Sequence, residues 1–178
     1  MRISVYCSSA PDIDPAHIEL AYEIGRGIGE RGWDLVWGGG SISMMGAVAR
    51  GTRDHGGKTF GVIPTKLLKL EFEDKESTQI IEVDSMRTRK AKIEDMSDAF
   101  IALPGGIGTL EEFFEIWVGR YLGFHEKPIA VCDPTGAYAP LQVALDHLAK
   151  LNFMKTGQAH LVSWTTQVNE ALDACARK

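Results

Sequence analysis

Phe100-Ile101-Ala102-Leu103-Pro104-Gly105-Gly106-Ile107-Gly108-Thr109-Leu110-Glu111-Glu112 decides the fold of this chain. Its first four residues are apolar without alternation, the pattern of a parallel strand covered on both faces. A proline then stops the strand, three glycines follow within four residues, and a helical pattern begins at Thr109. The same grammar recurs on both sides. Ile3–Cys7, Leu35–Trp37, Thr59–Ile63, Ile80–Val83, Ile129–Cys132 and Leu161–Trp164 read as further strands. Pro15–Arg31, Met44–Asp54, Ser85–Met96, Thr109–Leu122, Pro140–Lys150 and Gln167–Ala176 read as the helices between them. Alternating units of this kind imply an α/β architecture: a Rossmann-like, doubly wound, mainly parallel sheet flanked by helices, with ligands at the carboxyl ends of the strands.

The 178 residues suit one ordinary domain, so residues 1–178 are expected to form a single nucleotide-binding unit. A hydrophobic fraction of 44% and a charged fraction of 24% fit a globular protein that needs no disulfide or metal staple. The net charge of −5 argues against a nucleic-acid binder, which would carry a basic surplus. No apolar run is long enough to cross a membrane, and no signal-type segment precedes the first strand. Cys7, Cys132 and Cys175 lack metal-site or disulfide spacing, and Cys7 and Cys132 close strands as small buried residues. A cytoplasmic protein is expected. The polar stretch Lys69–Gln79 reads as a mobile loop.

Glycines at a strand end let backbone amides approach a ligand, and the amides of the helix start carry a partial positive charge. Phosphate is the natural occupant of Pro104–Thr109, with Gly105, Gly106, Gly108 and Thr109 as its cradle. The bland alternative is a tight connection capped by Thr109, for which three glycines are more than enough. No lysine follows in the Walker position, which argues against nucleoside triphosphate hydrolysis. A second run, Trp37-Gly38-Gly39-Gly40-Ser41, also ends a strand, although Ser43 stands where a dinucleotide fingerprint would have its third glycine. Gly39 and Gly40 are expected to border the same crevice. Gly25, Gly27 and Gly29 sit within a helical pattern and suit close helix packing.

Ser85-Met86-Arg87-Thr88-Arg89-Lys90-Ala91-Lys92 concentrates positive charge in an acidic chain, as an anionic ligand or a solvated helix face would require. Glu111, Glu112 and Glu115 suit the dipole at a helix start, yet one carboxylate so close to a phosphate is also placed to act on the attached sugar. The five histidines show no metal-ligand spacing, and no serine-hydrolase elbow occurs. The helix Thr109–Leu122 has apolar residues around more than one face, which suggests a homodimer through it.

These motifs resemble the Lonely Guy family of cytokinin-activating phosphoribohydrolases. Pro104–Glu112 matches that family's PGGxGTxxE signature and Met86–Lys90 its MxxRK segment. Cys7-Ser8-Ser9, the glycine-rich stretch Gly38–Gly46 and Asp133–Tyr138 extend the resemblance over nearly the whole chain. It implies a dimeric enzyme that cleaves N6-substituted adenosine 5′-monophosphates to a free base and ribose 5-phosphate, without a metal or organic cofactor. It further implies catalytic roles for Glu112 and Arg89, with Ser8, Met86 and Lys90 lining the nucleotide site. Arg87 stands where many members have histidine, and Ser43 where many have glycine. Some members carry a lysine decarboxylase label, but nothing in this sequence resembles a pyridoxal phosphate lysine site. Two other readings stay open: hydrolysis of AMP or another purine monophosphate, and a non-catalytic nucleotide sensor or carrier.

Overall fold

The computed structural model describes residues 1–68, 73–155 and 157–176. Seven strands, β1 (Arg2–Tyr6), β2 (Asp34–Trp37), β3 (Thr59–Pro64), β4 (Gln79–Val83), β5 (Ala99–Ala102), β6 (Ile129–Cys132) and β7 (Val162–Thr165), form one sheet in the order β4-β3-β2-β1-β5-β6-β7. Every neighbouring pair is parallel. The helices are α1 (Pro15–Glu30), α2 (Ser43–Asp54), the short α3 (Thr65–Leu68), α4 (Met86–Met96), α5 (Ile107–Tyr121), α6 (Ala139–Lys150) and α7 (Val168–Ala176). The chain winds outward from β1 to β4, crosses back through α4, and resumes with β5 on the other side of β1. The winding therefore reverses between β1 and β5, where a crevice opens at the carboxyl ends of the strands.

Two apolar layers hold the sheet. On one face Ile3, Val5, Leu35, Trp37, Ile101 and Leu103 pack against α1, α2 and α7. On the other, Tyr6, Val36, Phe100, Ala102 and Val131 meet Ile93 of α4, Phe113, Ile116 and Trp117 of α5, and the half-buried Leu141 and Leu145 of α6. β5 and β6 are buried along their whole lengths, which explains their unbroken apolar sequences. Burying a side chain such as Phe100 contributes about 2–3 kcal/mol, against about 1 kcal/mol net for one hydrogen bond. The core thus fixes where the strand ends stand, and the turns above them are free to serve a ligand.

α1 and α2 touch through glycines. A Cβ on Gly25 would lie 2.1 Å from the Val48 carbonyl oxygen, and one on Gly51 would lie 2.2 Å from that of Tyr22. α1 starts on Pro15 behind Asp14, whose carboxylate accepts the Ala16 amide. All three cysteines are free and buried, and burial raises their thiols, to about 11 for Cys132 and about 12 for Cys175.

Part of the stretch expected to be a mobile loop, residues 69–72, lies outside the described residues. The described remainder is fastened instead. The Asp74 amide donates to Gly39, and Arg53 reaches Asp74 at 2.6 Å and Glu76 at 3.1 Å. Asp74 is buried by these pairings, while Lys75, Glu76, Thr78 and Gln79 stay exposed.

Candidate active site

α5 begins at Ile107, two residues before the start expected from the sequence, so Gly108 and Thr109 belong to its first turn. Gly106 is the N-cap and has no side chain with which to occupy the first amides. Gly105 serves a different purpose: a Cβ there would sit 2.2 Å from the Thr109 hydroxyl, so its absence lets the buried Thr109 fold back over the turn. Above Gly106 and Gly108 there is open space within 4 Å. The turn is braced from the side by Tyr138, whose hydroxyl donates to the Leu103 carbonyl at 2.9 Å, with that of Gly105 at 3.3 Å. Asp133 sets Tyr138 in place by accepting its amide, the Ala137 amide and the Thr135 hydroxyl.

α4 brings in the positive charge. Ser85 caps it by accepting the Thr88 amide, and the helix then turns Arg89 inward. Arg89 is 5% exposed; its Nη2 donates to the Gly38 carbonyl at 3.0 Å and its Nη1 to the Met86 sulfur at 3.6 Å. A Cβ on Gly38 would fall 1.9 Å from that Nη2. Glycine at Gly38 is therefore what makes room for the guanidinium. Arg87 and Lys92 are exposed, so the basic cluster divides between the site and solvent.

Lys90 faces α5, where its ammonium pairs with Glu111 and, at 2.6 Å, with Glu115. Burial pulls its pKa down, but the two carboxylates more than offset that, and the net shift is upward. Lys90 thereby ties the helix that carries Arg89 to the helix that carries Glu112.

A cleft of about 390 Å³ lies at the reversal between β1 and β5. Of the residues expected at the site, Ser8, Met86, Arg89, Gly106, Gly108, Thr109 and Glu112 line it. Gly39, Gly40, Gly105 and Lys90 do not. Gly39 has a φ of +82° and packs on the Gly61 backbone, while Gly40 bridges to Glu73 and accepts the Trp37 indole N–H. Gly38, Met45, Glu111 and the run Val5–Ala10 complete the lining. The sequence placed Gly38 in the right run, but only the inward path of Arg89 distinguishes it from its neighbours. Tyr6 ends β1, so its place at the carboxyl end of a central strand is the signal that could have found it. Its phenol is raised by burial first and then by the Glu112 carboxylate, and the Cys7 thiol is raised by the same two causes in the same order. Both stay protonated, which leaves Glu112 and Arg89 as the charged groups that reach the cleft from α5 and α4, together with Glu111, which is held by Lys90.

The chain is 44% identical to a cytokinin riboside 5′-monophosphate phosphoribohydrolase of Mycobacterium tuberculosis over 174 residues, covering 98% of this chain and 92% of that protein. A protein of the same name from Mycobacterium marinum is 42% identical over the same shares. The chain belongs to the Lonely Guy family. A rice member, from Oryza sativa subsp. japonica, is 40% identical over 86% of this chain and 63% of its own length. The family model that matches residues 45–175 is described as a possible lysine decarboxylase. The cleft does not fit that wording, because no lysine lines it among the described residues and Lys90 is paired with two glutamates. In fold, this Lonely Guy member is similar to a molybdenum cofactor binding protein of Rippkaea orientalis (TM-score 0.73, 21% identity, 97% of this chain and 93% of that one). It is equally similar to the molybdenum cofactor carrier protein of Chlamydomonas reinhardtii (TM-score 0.72, 21% identity, 97% and 94%). At that identity the likeness concerns the fold alone.

Proposed function

We propose that this chain hydrolyses the N-glycosidic bond of N6-substituted adenosine 5′-monophosphates, the cytokinin riboside 5′-monophosphates, to free base and ribose 5-phosphate. The observation that carries this reading is the convergence in one cleft of the open first turn of α5, Glu112 on the same helix, and the inward-turned Arg89. Near-full-length relatives named for the activity support it.

The 5′-phosphate rests on the first turn of α5, where the amides of Ile107, Gly108 and Thr109 precede the regular helical bonds and the dipole favours an anion. Ser8 and Thr109 line the same cleft. Held at that remote group, the nucleotide presents its anomeric carbon to Glu112. As the bond from C1′ to the base nitrogen breaks, positive charge builds on the ribose and the Glu112 carboxylate stabilises it. Water adds to C1′ and gives a proton to Glu112, while the departing base takes the bonding electron pair; that proton then passes from Glu112 through solvent to the base, which restores the carboxylate. Arg89 stabilises the negative charge on that base.

We further propose that residues 1–178 act as a single domain in the cytosol and form a homodimer through α5. That helix buries Phe113, Ile116 and Trp117 but leaves Val118 and Leu122 more than half exposed, with Phe124 just beyond it 78% exposed. A monomer mass by light scattering at micromolar concentration would remove the dimer.

The test of the reaction is base release, followed by liquid chromatography, from N6-isopentenyl-AMP, AMP and N6-isopentenyladenosine in parallel. Release from the substituted monophosphate, with little from the nucleoside, is expected. Equal rates on AMP would broaden the substrate to purine monophosphates; tight binding without release would make the protein a carrier. Glu112→Gln should lower turnover on the order of a thousandfold while AMP still binds.

A further inference from the structure

Ser43 is in the left-handed region, with a φ of +51°, a conformation that favours glycine and strains a serine. The side chain shows what is gained by the strain. The Ser43 hydroxyl donates to the Ala10 carbonyl at 2.6 Å, across 33 residues of sequence. The Ala10 amide in turn donates to the Ser8 hydroxyl oxygen at 3.1 Å. Ser8, Ser9 and Ala10 form one wall of the cleft, and Ser43 does not itself line it. The wall is thus held internally by Ser8 and externally by Ser43, at the point where the first residue of α2 meets the segment after β1.

We propose that Ser43 is a positioning residue: its hydroxyl latches the Ser8–Ala10 wall in the place where it receives the nucleotide. This rests on the phosphoribohydrolase reading. The latch acts on the wall before any bond is broken, so it affects binding of the ground state and the transition state alike and shows in KM rather than kcat.

Two substitutions separate the latch from the strain. Ser43→Gly removes both, and Ser43→Ala removes the hydroxyl and keeps the strain. Both variants should raise KM for N6-isopentenyl-AMP roughly three- to tenfold, the value of one lost hydrogen bond, with kcat unchanged. Their melting temperatures should differ, with the glycine variant no less stable than the wild type and the alanine variant less stable. Amide hydrogen exchange at residues 8–10 should quicken in both. A wild-type KM in Ser43→Gly overturns the proposal, as does a KM rise confined to Ser43→Ala. Failure of the wild-type protein to release base from any nucleotide would sink the reaction instead. In that case unchanged exchange at residues 8–10 in Ser43→Gly overturns the latch independently.

Discussion

Two glycine turns stand at the strand ends on either side of β1, and they do opposite things with the space that glycine leaves. Around Gly106 and Gly108, after β5, nothing of the protein lies within 4 Å of where a Cβ would be. Around Gly38, after β2, the space is already taken by the Arg89 guanidinium and the Met45 methyl. The first turn is open; the second is filled by the protein's own cation. A run of glycines after a strand therefore does not by itself mark a ligand contact. What decides is whether another element reaches into the gap first, and here the element is α4, which starts after β4 and runs beneath the sheet to β5.

The filled turn should be the less forgiving. In Gly38→Ala the new methyl would meet Nη2 of Arg89 at 1.9 Å and the Met45 Cε at 2.7 Å, so the guanidinium has to leave its bond to the Gly38 carbonyl. If Arg89 acts on the leaving base as proposed, a displacement of about 1 Å is expected to lower kcat on the order of a hundredfold. Binding of AMP should suffer less, because the phosphate turn is untouched. Steady-state base release alongside AMP titration reads both. A variant that keeps its kcat would mean that Gly38 serves packing alone and that the contrast between the turns has no functional weight.

The same contrast explains what the sequence disclosed. The unbroken apolar runs at Phe100–Leu103 and Ile129–Cys132 gave the parallel sheet, because full burial leaves its mark on every residue of a strand. The open turn was legible for a similar reason, since its glycines, strand and helix adjoin in sequence. The filled turn was half legible. Its glycines are visible, but nothing in the run separates Gly38, which lines the cleft, from Gly39 and Gly40, because the partner that distinguishes them, Arg89, lies 51 residues away. The family resemblance puts Lys90 at the nucleotide, whereas helical geometry turns adjacent residues about 100° apart and directs Lys90 to Glu111 and Glu115. Local chemistry is written locally; long-range pairings such as Asp74 with Arg53, or Tyr138 with Leu103, leave no periodic trace.

At the open turn a methyl should be tolerated by the fold and felt only by the ligand. Gly106 has a φ of −85° in extended backbone, which alanine adopts freely, and there is no protein atom for its Cβ to strike. Gly106→Ala should therefore melt at or slightly above the wild-type temperature, since alanine reduces the freedom of the unfolded chain by about 0.4–1 kcal/mol. Its KM for the monophosphate should rise about tenfold, the cost of crowding a fitted site by one methyl. The nucleoside, which brings no phosphate to the turn, should be unaffected. Stability and affinity would then move in opposite directions, as they should where space is reserved for something other than protein. An unchanged KM would place the phosphate elsewhere.

The smallest effect is expected from beneath that turn. Tyr138→Phe removes the hydroxyl that donates to the Leu103 carbonyl and leaves the ring in its packed position. The loss should be about 1 kcal/mol, or a fall of roughly 2–4 °C in melting temperature for a chain of this size. Its effect on KM should be smaller than that of Gly106→Ala, because the core still holds the end of β5. The pH dependence identifies the group responsible. Burial raises the Tyr138 phenol above its ordinary value of 10.0. Above that pH the unfolded chain releases this proton while the folded chain retains it, so the wild-type protein loses stability as pH rises through the unfolded value. The phenylalanine variant lacks that component, and the stability gap between the two should narrow above pH 10. A gap that stayed constant there would mean that the phenol ionises alike in the folded and unfolded chains; no gap below pH 10 would mean that the hydroxyl contributes nothing to bracing the turn, and that the open turn stands on the core and the start of α5 alone.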